Sequence, residues 1–220
     1  MDFLKADLLK KEFEVEGSFY NIVINGKVFE CRNYAQIYKK DRKTQEKYDA
    51  LFVLINPGKC MPKLSTYEIP QVTVGQSPIN FTLAQTDNTQ YQIMRFMKLK
   101  QWNKVLLINL SDIRAGNMDD FKKELKDVKK YKFDSHSIFS PKRCPELKRT
   151  ISKINGPIIL AWGTDPSIKK LAEQALQCLP EDRIIGMEHE KEPFYYHASP
   201  PPIKGKMRWL EYMNNREIKG

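Results

Sequence analysis

The sequence predicts an α/β protein of the three-layer α/β/α sandwich class, and three observations predict it. Four short apolar runs recur along the chain: LFVLI at 51–55, VLLIN at 105–109, IILAW at 158–162 and RIIGM at 183–187. Runs without polar alternation read as strands buried on both faces, the pattern of parallel strands covered by helices. The segments between them carry apolar residues at helical spacing. Finally, Asn56 and Asn109 each follow or end an apolar run, which brings polar groups to one end of a sheet, where open α/β folds bind their ligands.

Taken in chain order, the first 50 or so residues differ from the rest. A short amphipathic start (Phe3, Leu4, Leu8, Leu9) leads into FYNIVI and KVFECR, separated by Asn25-Gly26. That residue pair tolerates the positive φ angles of a two-residue hairpin turn, so an antiparallel hairpin is expected at the edge of the sheet. A polar stretch, KKDRKTQEK at 39–47, connects it to the body. The whole chain, 1–220, is read as one domain, with 1–50 a hairpin extension and 51–220 the α/β core. The first strand is followed at 57–86 by a Pro-, Gly-, Thr- and Gln-rich stretch that reads as a long irregular insertion; such loops are functional or disordered, and a lid is one use for it. Helices are expected over 89–101 (Ile93, Met94, Phe96, Met97), after Asn117 as cap (Phe121, Leu125, Val128), and after Asp165-Pro166 (Ile168, Leu171, Leu176).

Bulk composition narrows the function. Thirty-seven Lys plus Arg stand against 27 Asp plus Glu, a formal charge of +10, which predicts attraction to a polyanion that weakens in salt; nucleic acid, DNA first, is the expected partner. Residues 122–153 hold 11 of those basic residues against four acidic ones. No apolar stretch approaches the ~20 residues that span a bilayer, and Met1 to Lys11 lacks the pattern of a secretion signal, so a cytoplasmic protein without membrane contact is expected. Cys31, Cys60, Cys144 and Cys178 are scattered with no C-x-x-C pair, so no metal site is advertised and the thiols read as reduced packing residues. There is no phosphate-binding glycine loop and no G-x-S-x-G elbow. No cofactor is expected.

The residues with chemistry to offer lie at the ends of strands and in one loop. Asn56 precedes Pro57-Gly58, a sharp turn, and its amide can hold a water or a substrate edge. Asn109 offers a donor and an acceptor together, the combination that reads the Watson–Crick edge of a base. Downstream, Asp112 and Arg114 are placed to orient Asn109 or hold a phosphate, or to form a surface ion pair. Asp87-Asn88-Thr89 caps the helix that follows. His197 stands among prolines in HASPPP, which fix the backbone around its imidazole and the Ser199 hydroxyl; as a neutral donor it can stabilise an anion developing on a leaving group. Trp162-Gly163 reads as structural.

In order and spacing these pieces resemble the uracil-DNA glycosylase superfamily. LINPG at 54–58 looks like the first motif of its mismatch-specific and thymine-DNA branch, VLLIN like the second strand, ILAWG at 159–163 like the third, and HASPPP at 197–202 like the H-P-S-P loop. A closer match is to a bacterial and phage family known as domain of unknown function sixteen forty-three, with N-P-S/G, D-x-T (Asp87 to Thr89), N-L-x-x-x-R-A (Asn109 to Ala115) and W-G. The resemblance implies a four-stranded parallel sheet in the order 2-1-3-4 and an enzyme that flips a base from DNA and cleaves its N-glycosidic bond. Asn56 would then place water, Asn109, Pro57 and Gly58 would hold the base, and His197 would stabilise the departing base. Ser199, Pro200, Lys204, Lys206 and Arg208 would contact the DNA backbone. The chain departs from that pattern: the first motif has no Asp, Ala198 replaces a Pro, Pro201 stands at the wedge position, and Phe81 is the nearest Phe for stacking on the base though it lies much farther on. The alternatives are a non-catalytic nucleic-acid binder of the same fold and an enzyme acting on free nucleosides or nucleotides.

Overall fold

A computed structural model describes residues 3 to 216, so the two ends of the expected 1–220 domain, Met1 among them, lie outside the described residues. A short helix, α1 (Ala6–Glu12), runs into two long strands, β1 (Phe13–Ile24) and β2 (Lys27–Lys39). They pair antiparallel from Phe13↔Lys39 to Ile24↔Lys27. Their turn is Asn25-Gly26, with φ of 48° and 81°, the positive values that such a turn requires. The hairpin is therefore as the sequence predicts, but twice as long, and it is no edge addition. β2 also pairs with a central strand, so the hairpin extends the main sheet.

The four apolar runs form β3 (Ala50–Leu54), β6 (Lys104–Asn109), β7 (Ile158–Leu160) and β8 (Ile184–Gly186). β3 pairs in parallel with β6 and β7, and β7 with β8. The insertion contributes β4 (Gln71–Val72) and β5 (Phe81–Leu83), which both pair with β1. The strands of the four apolar runs lie side by side and parallel as β6-β3-β7-β8, the order 2-1-3-4, but the expected sheet of four strands alone is corrected to an eight-stranded mixed sheet in the order β4-β1-β2-β6-β3-β7-β8, with β5 also on β1. The insertion borders the hairpin, and its two short strands cover a β1 edge that would otherwise leave a row of backbone donors and acceptors open.

Helices cover both faces. On one, Phe52, Leu54, Leu107 and Ile159 pack against α1, α2 (Asn88–Lys100) and α6 (Ile203–Asn214), through Leu9, Ile93, Phe96, Trp209 and Met213. On the other, Val53, Leu106, Ile108 and Leu160 meet α3 (Met118–Tyr131), α4 (Cys144–Ile151) and α5 (Lys169–Cys178), through Phe121, Leu147 and Ala172. Burying each large apolar side chain stabilises by roughly 1.5–3 kcal/mol, against ~1 kcal/mol for a cap, so the two faces carry the fold and the caps set its boundaries. Asp87 and Asn117 cap α2 and α3 as their sequences predict, each accepting a backbone N–H three residues on. Asp165 caps a 3₁₀ turn that leads into α5. All four cysteines are free; Cys31 and Cys60 pack inside, whereas Cys144 and Cys178 are exposed. Among the described residues no helix is long and apolar enough to cross a membrane.

Candidate functional site

The parallel register sets the site. Leu54 lies opposite Asn109, so Asn109 closes β6 at the same sheet edge at which Asn56 follows β3. Parallel strands leave their C-terminal ends open to loops, and the loops here leave two hollows. The larger is a cleft of about 810 Å³. Its walls include Asn56, Asn117 and Met118 at the start of α3, the Trp162–Asp165 turn, Tyr196, His197, Pro200 to Pro202, and Arg208 and Trp209 of α6. The smaller is a cavity of about 80 Å³ bounded by Arg32, Leu54, Asn56, Asp87, Thr89, Leu107 and His197. Asn56, Gly58 and His197 border both, so the small cavity is a recess that adjoins the cleft.

Asn56 is partly committed to the turn: its Nδ2 donates to the Ala115 carbonyl and its Oδ1 accepts from the Gly58 N–H, each at 3.2 Å. One N–H and one lone pair remain for a ligand. His197 accepts the Ser199 N–H at Nδ1, 3.2 Å away. A ring that accepts at Nδ1 carries its proton on Nε2 when neutral. Burial pushes the His197 pKa down, and the Asp87 carboxylate works against that shift; the result favours a neutral Nε2–H donor. Asp87, whose sequence shows only a cap, does more. Its Oδ1 takes the Gln90 N–H at 2.9 Å and its own N–H bonds the Gln90 side chain at 2.8 Å. Its Oδ2 stands 4.0 Å from where a Cβ on Gly58 would be, beside the Asn56 turn.

Asn109 is fully buried, and among the described residues neither amide atom has a partner. It lies two residues beyond Leu107 on one strand, so the two share the face that walls the recess. Asp112 and Arg114 do not orient it. Asp112 accepts from Tyr20 Oη at 2.7 Å and from Arg143, while Arg114 reaches Glu30 at 3.3 Å. Phe81 borders neither hollow; it pairs with Ser18 and packs against the core of the opposite face. Pro57 borders the recess. Pro200 borders the cleft, and the Ser199 Oγ is buried without a partner among the described residues. Lys204, Lys206 and Arg208 lie along α6, with Arg208 at the cleft and Lys204 exposed. Among the described residues no cluster of three or more His, Cys, Asp or Glu could hold a metal ion.

Sequence reasoning missed Arg32. It is 2% exposed, and among the described residues its Nε and Nη1 have no partner. It also missed a second arginine on the far face. Arg143 donates from Nε and Nη2 to Glu146, from Nη1 to Asp112 and the Ser135 carbonyl, and from Nη2 to Ser77. The Glu146 carboxylate also takes Tyr34 Oη at 2.7 Å.

Comparison with known proteins returns one family. A family model described as Protein of unknown function (DUF1643) matches residues 66–197, more than half of the chain. No curated protein matches it.

Proposed function

The chain belongs to that family, Protein of unknown function (DUF1643), and on this premise we propose that it is a nucleic-acid-directed N-glycosidase, acting on uracil or another modified base. The observation that carries the reading is the convergence of Asn56, Asp87 and His197 on one recess at the C-terminal edge of the parallel strands. In the reaction a water adds to the sugar C1′ as the C1′–N bond breaks. The bonding pair leaves with the base, and His197 Nε2–H bonds the anion that forms. The proton of the water passes to Asp87 Oδ2, which stands next to the Asn56 turn and has the free lone pairs for it. Asp87 thereby supplies from a helix cap the carboxylate that the first motif lacks, and Asn56 positions the water with its remaining N–H. The base itself would be read by Asn109, whose donor and acceptor are both unpaired.

DNA contact rests on the +10 charge and on Arg208 and Lys204 at and near the cleft mouth. Incubating the protein with oligonucleotides that contain uracil or a deaminated purine, then treating with alkali, should yield fragments cut at the modified position. His197→Ala should slow that release ~10²-fold while leaving DNA affinity unchanged, because the contact strengthens only as the base departs. Intact strands across the panel would remove the reading. One observation favours a second: a cleft of about 810 Å³ has the size of a small-molecule site, which suits a free nucleoside or nucleotide. Binding whose logarithm falls steeply with salt selects the polymer; a flat dependence selects the small ligand.

A further inference from the structure

Arg32 enters the recess from β2, on the hairpin, and its burial is built and not incidental. β1 and β2 change register between Ser18 and Phe19, so Phe19 pairs with Arg32 and not with Asn33. The bulge turns Arg32 onto the face that Phe19 shares with α2 and α6. Gly17 makes room for the shaft: a Cβ there would stand 3.2 Å from Arg32 Cδ and 2.7 Å from the Phe19 ring. The guanidinium remains charged in any protein. Removing such a charge from water without a partner costs several kcal/mol. Asp87 borders the same recess, but Arg32 forms no ion pair with it or with any other carboxylate among the described residues. Asn109, unpaired at both amide atoms, lies on the same face. An unpaired guanidinium that lines the recess, and an unpaired amide on the same sheet face beside its wall residues Leu54 and Leu107, make a built receptor.

We propose that Arg32 and Asn109 form a buried oxyanion subsite, and that the ligand of this protein carries a negatively charged oxygen that it places against the Arg32 guanidinium. The ligand chemistry follows from the donors. A planar fork of N–H groups matches a phosphate or carboxylate, and it also matches the ionised oxygen edge of an oxo-heterocycle. Both sources present the same charged oxygen. The subsite does not depend on glycosidic cleavage, since it holds an oxygen whatever bond is broken elsewhere.

The test is a thermal-unfolding titration of the full chain with inorganic phosphate, acetate and uracil, each against chloride at equal ionic strength. The wild type should gain several degrees in Tm, saturably, from at least one of the three, because a ligand that binds only the folded state stabilises it by mass action. Phosphate or acetate alone assigns the oxygen to a phosphoryl or carboxyl group and moves the base out of the recess. Uracil, with a response that grows as pH rises toward its deprotonation, assigns it to a heterocycle. Arg32→Met should fold and lose the response entirely. Arg32→Lys keeps the charge but not the fork, and should weaken binding ~10-fold. No response from the wild type beyond chloride, an equal response from Arg32→Met, or an Arg32→Met protein that does not fold each overturns the subsite.

Discussion

Arg143 and Arg32 are buried alike, at 5% and 2% exposure, yet their surroundings differ in kind. Every nitrogen of the Arg143 guanidinium donates to a protein oxygen, drawn from the loop after β6, a 3₁₀ turn, the insertion and α4. Arg32 sits across the sheet with two nitrogens idle. A saturated buried charge ties segments together, and an unsaturated one waits for a ligand. On the reading proposed above, the difference separates the structural half of this molecule from its functional half. Single unpaired polar atoms occur in both regions, Ser199 Oγ and Trp209 Nε1 near the cleft and Asp112 Oδ1 and Ser135 Oγ beside Arg143, so it is the bonding of the guanidinium itself that sets the two arginines apart.

The largest expected effect lies on the saturated side. Arg143→Met leaves the Asp112 carboxylate, which is fully buried, without its cation, and should lower stability by ~3–5 kcal/mol. Urea unfolding measures it; a cost below about 1 kcal/mol would dissolve the contrast between the two arginines. Close behind comes a pH effect. His136 packs beside this network, its backbone carbonyl bonded by the Asp112 N–H at 2.7 Å and its ring at 2.8 Å from Ser111 Oγ. Burial pushes its pKa down from 6.5 to about 4. Its folded value is the lower one, so the unfolded chain binds the extra proton, and stability is full above pH 6.5 and drains away as pH falls to about 4. Burial pushes Asp112 up to about 6, against the pull of Arg143, which acts in the opposite sense over much of that window. The contribution of His136 is therefore read as a difference: wild type should lose ~3 kcal/mol more than His136→Gln between pH 7 and pH 4. Equal losses would mean that His136 is already solvated in the fold.

On the unsaturated side the effects should be small. Asn109→Leu removes two unpaired polar atoms and should change unfolding free energy by less than about 1 kcal/mol; a loss of 2 kcal/mol or more would reveal structural partners and end its role as a waiting group. Smallest is Asp87→Asn. Asn caps a helix about as well as Asp, so stability should shift by only ~0.3 kcal/mol. Any hydrolysis should fall far more steeply, and a variant that cleaves at the wild-type rate would return Asp87 to the role of a cap alone.

Much of the fold was legible because it rests on local signals. Unbroken apolar runs marked the parallel strands, Asn25-Gly26 marked the hairpin turn, and Asp87 and Asn117 marked two helix starts. Asn109 and His197 stood out as candidates because strand ends and proline-fixed loops are where polar groups can face a ligand. Arg32 was not legible. In KVFECR it occupies a position that strand alternation would give to either face, and the bulge at Ser18/Phe19 decides which. A register shift between two strands is a tertiary event with no signature in either one. The same holds for Arg143: its network spans β2, the insertion and α4, and within its own basic segment it reads as one more surface charge. The insertion reads as irregular because it is rich in Pro, Gly, Thr and Gln, whereas two short pairings with β1 are enough to hold it at the sheet border.

The most direct measurement is the unfolding free energy of Arg32→Met against wild type, by urea denaturation in a buffer with chloride as its only anion. Met keeps the length of the buried shaft and removes the unpaired charge. If Arg32 serves a ligand, the variant should be as stable as the wild type or more stable, by up to ~2 kcal/mol, because a cost is removed and no bond is lost. A variant destabilised by 3 kcal/mol or more, as expected for Arg143→Met, would show that Arg32 holds the fold together and that the recess is not a site.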